Sequence, residues 1–398
     1  MLNIEESPST GKFALFYLGF RPFFLGAALF SVTTMSWWMA VYIFSWQSRP
    51  LDISPASWHA HEMIFGYSIA VIAGFLLTAV KNWTGIQTPH RVPLALLFLL
   101  WLVGRVLPYF SQTVPVNLIA FVDSLFLGIL FLVVALPVIR AKQWKQVGVL
   151  SKILLMLASN VTFYLGVTGV LEKGIHWGLY SGLYLILSLI FVMGRRVIPF
   201  FIERGVDEPV QLTNREWLDR SSLVLFIGFW VADVFIAEPK LTAALAGILF
   251  LLHAVRLLDW YTSAMWRKPL LWVLYVAYGF LVLGFLFKAT FPVSGLSPYL
   301  AIHAFTVGGI GLITLGMMSR VALGHTGRNV KKPPGILPWI LSLVLAGAIV
   351  RVIFPLVSAN QYTLWIGLSQ VLWIMAFVLF LLVYSPILLK PRVDGRYG

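Results

Sequence analysis

Apolar runs of about 18–28 residues alternate with short polar breaks along this chain, and each is long enough to cross roughly 30 Å of hydrocarbon as a helix. No other feature constrains the fold as strongly. Of the 398 residues, 60% are hydrophobic and 11% charged, more apolar surface than a soluble domain can hide. The strict residue-by-residue alternation of a membrane β-barrel is absent. The pattern predicts an all-α, polytopic transmembrane helical bundle of about twelve spans. They lie near 20–44, 58–80, 92–110, 115–139, 148–171, 175–201, 218–237, 241–260, 269–290, 297–320, 335–356 and 362–388.

Lys and Arg set the expected orientation. Of the 29, 23 fall on the side of the N-terminus, Lys12, Arg140 and Lys390 among them, and six on the other, Arg49 among them. Both termini are therefore expected in the cytoplasm. The opening Met1-Leu2-Asn3-Ile4-Glu5-Glu6 is acidic where a signal peptide is basic, so the first helix reads as uncleaved. With no cysteine, disulfides, thiolate metal ligands and iron–sulfur clusters are excluded. The net charge of +14 reads as loops facing anionic lipid, with no nucleic-acid partner. The longest polar loop, near 203–220, splits one integral membrane domain into two six-span halves, approximately 1–210 and 211–398. No convincing sequence repeat relates them.

The chemistry-bearing stretch is Trp58-His59-Ala60-His61-Glu62-Met63, at the mouth of an apolar run. Ionisable groups are expensive at such a place and mark sites. A metal, a haem or a proton path would explain it. The topology puts His59, His61, His176 and His303 near the outer ends of their spans, and His90, His253 and His325 towards the cytoplasm. Neutral imidazole is the usual ligand for haem and many metals. On a helix, His59 and His61 point about 200° apart and do not chelate one ion together; either the helix starts later, leaving them on a flexible turn, or each serves a different site. His59 would share a face with Glu62, Met63 and Gly66, and His61 one with Phe65 and Ser68. Two adjoining cofactors suit that splay. The metal-ligand candidates are His59, His61 and His303, with His176 and His253 weaker; His325 is a further haem-binding candidate. Glu62 is the candidate catalytic residue, as proton donor. Gly308, Gly309 and Gly311 after His303 would admit either a planar macrocycle or a close-packed helix. Arg21, Arg195, Arg196 and Arg256 are candidate partners for haem propionates, since guanidinium grips carboxylate with two bonds.

Several blocks together carry a resemblance. They are Gly19-Phe20-Arg21-Pro22-Phe23-Phe24, the WHAHEM block, Gly74-Phe75-Leu76-Leu77-Thr78-Ala79-Val80 with Asn82-Trp83-Thr84-Gly85, Gly194-Arg195-Arg196-Val197-Ile198-Pro199-Phe200-Phe201, Arg256-Leu257 with Trp260, and His303 through Gly327-Arg328. Over nearly its whole length the sequence resembles the NnrS family. The resemblance implies a multi-pass protein of the bacterial inner membrane that contains haem, b-type, and copper. It also implies a link to nitric oxide, denitrification and nitrosative stress. Tyr275 stands where the family often has His, in Trp272-Val273-Leu274-Tyr275.

The expected function is binding or reduction of nitric oxide, as a nitric oxide reductase-like oxidoreductase if the protein is an enzyme. Quinol or another electron donor and membrane lipid are the expected partners. The rivals are a non-catalytic haem-based scavenger or sensor of nitric oxide and, from another class, a twelve-span transporter.

Overall fold

A computed structural model describes residues 13–48 and 50–398. The acidic start, Lys12 and Arg49 lie outside the described residues. Twelve long helices follow in chain order. They are α1 Phe20–Tyr42, α2 Pro55–Thr84, α3 Val92–Phe110, α4 Val116–Arg140, α5 Trp144–Val167 and α6 Gly174–Gly205. Then come α7 Glu216–Val231, extended by a π-helical turn Ala232–Ile236, α8 Pro239–Asp259, α9 Pro269–Ser294, α10 Pro298–His325, α11 Leu337–Val357 and α12 Ala359–Leu389. No strand occurs among the described residues. Eleven of the helices are long and apolar enough to cross a membrane. The other, α7, carries Glu216, Asp219, Arg220 and Asp233. This is a multi-pass helical membrane protein.

Local chemistry explains where the key helices begin. Ser54 Oγ accepts the Ser57 N–H at 3.1 Å, and Pro55 follows at the first turn of α2. Ser297 and Pro298 repeat this at the start of α10. A hydroxyl cap satisfies an orphan N–H, and proline sits where its missing N–H costs nothing. Both helices then widen: Glu62–Ser68 and Ala304–Gly311 are π-helical, each directly after a histidine. The extra residue per turn shifts the angular order of side chains, and such bulges gather at functional sites.

The chain groups into two compact units, neither contiguous in sequence. Unit 1 comprises Met1–Ile186, Met318–Val330 and Phe377–Gly398; unit 2 comprises Leu187–Met317 and Lys331–Ala376. In unit 1 the fully buried Phe23 packs its ring against Phe98, Trp101 and Phe126. In unit 2 Phe285 holds the same position, meeting Phe191, Phe226, Phe229 and Phe305.

Candidate functional site

Unit 1 encloses a charged cluster around His61 and Glu62, both fully buried. His61 Nδ1 lies 2.9 Å from Glu62 Oε1, and His61 Nε2 lies 3.0 Å from Asn160 Oδ1. Arg105 donates to Glu62 Oε1 at 2.7 Å and, with its other terminal nitrogen, to Asp123 Oδ1. Tyr164 donates its hydroxyl to Asp123 Oδ2 at 3.0 Å, and Asn160 Nδ2 faces the same oxygen at 3.3 Å. That contact orients the Asn160 amide, so its carbonyl meets the imidazole. Both ring nitrogens of His61 therefore face acceptors, an arrangement only the imidazolium satisfies fully. With His61 protonated, two acids balance two bases; with it neutral, the cluster keeps one net negative charge. Glu62 Oε2 is buried with no hydrogen-bond partner.

Glu62 groups with His61 rather than on the expected face with His59. The backbone is still α-helical up to Glu62, whose N–H reaches the Trp58 and His59 carbonyls; the Arg105 guanidinium and the His61 ring draw its carboxylate away from the expected face. His59 turns the other way and stacks on Trp38, ring centroids 4.8 Å apart. His61 stacks on Phe163 at 4.2 Å and touches Phe65 at 5.1 Å.

Unit 2 holds a second polar chain running inward. Arg195 Nη1 donates to Asp219 Oδ2, and Arg256 Nη2 to Asp219 Oδ1, both at 2.8 Å. Arg256 also reaches Ser222 Oγ at 3.1 Å and the Tyr278 hydroxyl at 3.0 Å. That hydroxyl lies 2.5 Å from His253 Nδ1. His253 is 1% exposed, and its Nε2 has no hydrogen-bond partner. Phe191 and Phe285 pack against the ring at 4.4 Å and 5.4 Å, and their own centroids are 6.0 Å apart, so both lie towards one side of it. Also in unit 2, His303 Nδ1 donates to the Tyr299 carbonyl at 2.7 Å, which leaves Nε2 as the lone pair. Arg351 Nη2 lies 3.4 Å from that nitrogen and donates to the Tyr362 hydroxyl at 3.1 Å.

The other candidates lie apart from these clusters. Arg21 is fully buried and donates to the carbonyls of Ile387, Leu388, Lys390 and Gly398 at 2.5–3.3 Å. It thereby satisfies acceptors that the end of α12 leaves open. Arg196 and His176 are exposed, the latter against Tyr180. The half-buried His325 lies beside Phe20, and its carbonyl accepts from Arg392. Tyr275 packs on Tyr261 and Trp266. A Cβ at Gly308, Gly309 or Gly311 would run into Phe280, Leu281 and Trp373, so side chains already cover that glycine face. Asn160, Tyr164, Asp219, Ser222 and Tyr278 were not singled out from sequence. Asn160 alone carried a signal, an amide inside an apolar run; tyrosines and helix-end acids look alike wherever they point.

The donor sets can be tested against the two implied cofactors. Among the described residues, no three His, Asp or Glu side chains are gathered to hold a metal ion. In unit 1 the Arg105 guanidinium stands between the two carboxylates, where a metal cation would have to sit. Copper therefore finds no ready ligand set. Haem iron needs only an imidazole edge with its other nitrogen engaged; His253 presents one, with Nδ1 against Tyr278 and Arg256, whereas His303 Nε2 already faces Arg351. A family model described as NnrS protein matches residues 14–392.

The chain belongs to the NnrS family. No curated protein matches it. Membership suggests a nitric oxide-related membrane protein, and the eleven apolar helices agree with the membrane part of that statement.

Proposed function

We propose that this NnrS-family chain is a haem-containing protein of the bacterial inner membrane that binds or reduces nitric oxide, with both termini in the cytoplasm. In that role it would protect against nitrosative stress or support denitrification. The observation that carries the reading is His253 Nε2, a buried nitrogen with no hydrogen-bond partner, on a ring packed against Phe191 and Phe285. Leaving such a group unsatisfied costs about 1–3 kcal/mol. Nδ1 faces the Tyr278 hydroxyl and, at 3.3 Å, the Arg256 guanidinium, which only donates, so the proton rests on Nε2. With that proton moved to Nδ1 and donated to Tyr278, Nε2 would become a lone pair whose coordination to iron would remove the cost. His303, its tautomer set by the Tyr299 carbonyl, is the second histidine that would hold haem, once Arg351 gives up its Nε2. Bound haem would supply a ferrous site for nitric oxide.

The chain's own residues then divide the work. Arg256 and Tyr278 orient His253. Reducing two nitric oxide molecules to nitrous oxide and water consumes two electrons and two protons. Glu62, with its unpartnered oxygen, and His61 form a buried pair able to hold and pass one proton. Copper is the other cofactor the family implies; nothing in this scheme depends on it.

An optical spectrum of the purified protein tests the reading. A Soret band that His253→Ala abolishes or shifts supports it. No Soret band in the wild type removes the haem reading and leaves the transporter. With haem present, anaerobic consumption of nitric oxide on addition of a reductant separates a reductase from a scavenger.

A further inference from the structure

A cavity of about 180 Å³ in unit 2 is lined by residues from the π-helical end of α7, the start of α8, the end of α9 and the start of α10. Asp233 and Lys288 form one wall, with Lys288 Nζ 2.9 and 2.8 Å from the two carboxylate oxygens. Phe287 and Phe291 form another. Two irregularities shape the site. Asp233 sits in a π-helical turn, and that turn ends on Ala237 at φ 55°, a conformation costly for any residue with a Cβ. Both ions are mostly buried, each 13% exposed.

We propose that this cavity binds the hydroxylated aromatic head group of a quinol. Size favours one substituted ring, since an apolar cavity of about 150 Å³ takes benzene. The chemistry favours a neutral ligand that both donates and accepts. An anion would face Asp233 and a cation would face Lys288, whereas a quinol hydroxyl donates to the carboxylate and a ring oxygen accepts from the ammonium. A hydrocarbon chain would leave the ion pair with nothing to meet. Phe291 and Val293, 38% and 89% exposed, continue the apolar surface along which an isoprenoid tail can leave. Ala301 lines the cavity, and His303 follows it by two residues on α10. The head group would thus bind beside the helix that carries a candidate haem ligand. As the electron donor for the proposed reaction it rests on the haem reading; its binding does not.

The test uses the purified full-length chain in detergent, titrated anaerobically with ubiquinol-1 and followed by thermal shift and tryptophan fluorescence. Saturable stabilisation is expected, with p-xylene, a ring lacking polar atoms, giving less. Ala301→Phe fills the cavity and should weaken ubiquinol-1 binding at least tenfold. Should that variant fail to fold, Thr242→Leu fills the same space from α8 and decides the matter. Three results would overturn the proposal: no saturable stabilisation of the wild type, equal stabilisation by p-xylene, or unweakened binding in the folded cavity-filling variant. The Soret band is read on the same samples. Binding without a Soret band removes the haem reading and leaves this site standing; a Soret band without binding does the reverse.

Discussion

Residues 54–68 and 297–311 are built alike and used differently. Each opens on a Ser-Pro cap, runs through a short α-helix that ends in histidine, and widens into a π-helix. Each is approached by an arginine from the next long helix: Arg105 of α3 meets Glu62, and Arg351 of α11 meets His303. In unit 1 Glu62 stands between His61 and Arg105 and accepts from both. In unit 2 the residue after the histidine is Ala304, so Arg351 points at the imidazole itself. Asp123 and Asn160 complete the first cluster; the second has the Tyr299 carbonyl and the Tyr362 hydroxyl. One backbone device thus presents an imidazole either to an acid–base network or with its lone pair towards the Arg351 guanidinium. The residue that follows the histidine sets much of that difference.

Removing the two arginines tests this contrast most severely. Arg105→Leu leaves Glu62 and Asp123 buried without their shared cation and should cost about 3–5 kcal/mol, the usual loss when one partner of a buried ion pair is removed. Arg351→Leu removes hydrogen bonds to neutral groups, each worth about 1 kcal/mol. Unfolding in detergent by heat or by titrated sodium dodecyl sulfate measures both. Equal losses would erase the distinction between the units.

The histidines should separate stability from haem. His61→Ala strips partners from Glu62 and Asn160 and should cost about 2–3 kcal/mol while leaving a Soret band in place. His303→Ala should cost about 1 kcal/mol and alter the band. Haem lost from His61→Ala but kept in His303→Ala would reverse the assignment. His253→Phe is sharper still. It keeps an aromatic ring against Phe191 and Phe285 and removes the unpartnered Nε2 along with the Nδ1 contacts to Tyr278 and Arg256, so stability should stay within about 1 kcal/mol of the wild type as the Soret band disappears.

The smallest effect lies in the polar segment that follows α12 in unit 1. Arg392 holds the Asp394 carboxylate at 2.5 Å and 2.9 Å and also reaches the His325 carbonyl. The Arg392 hydrogen bonds, with a further backbone bond from Arg396, depress the Asp394 pKa below the ordinary carboxylate range. A depressed acid contributes fully above its unfolded pKa, and the contribution fades as pH falls through the folded one. Limited proteolysis after Lys390 should therefore be unchanged from pH 7 down to about 4, the ordinary carboxylate value, and rise only below it. Asp394→Asn should show the acid rate at pH 7. In unit 2 the Asp207 carboxylate, depressed by its hydrogen bond to Lys268, should release its loop over a similar acidic window.

Much of this was legible in the sequence. The helix count and most boundaries follow from the lengths of the apolar runs, because a bilayer leaves a backbone segment little choice but to be a helix of fixed length. That Arg105, Asp123, Asp233, Lys288 and Arg351 deserved notice also follows, since charge is scarce in such runs. The partners did not follow. Nothing in the pattern says that Arg21 is committed to the carbonyls at the end of α12, or that Arg195 and Arg256 share Asp219.

The sequence by itself determined a helical membrane bundle, its family, and the short list of groups that lipid would not tolerate without a purpose. Only the tertiary structure decided which groups meet. Arg105 from α3 and the neighbouring ring drew Glu62 to His61, Phe280 and its neighbours covered the glycine face, and the buried Nε2 of His253 was left without a partner. The reason is physical. Helical periodicity is a local property, readable along the chain, whereas a π-helical turn and the pairing of side chains on different helices depend on packing that no single helix encodes.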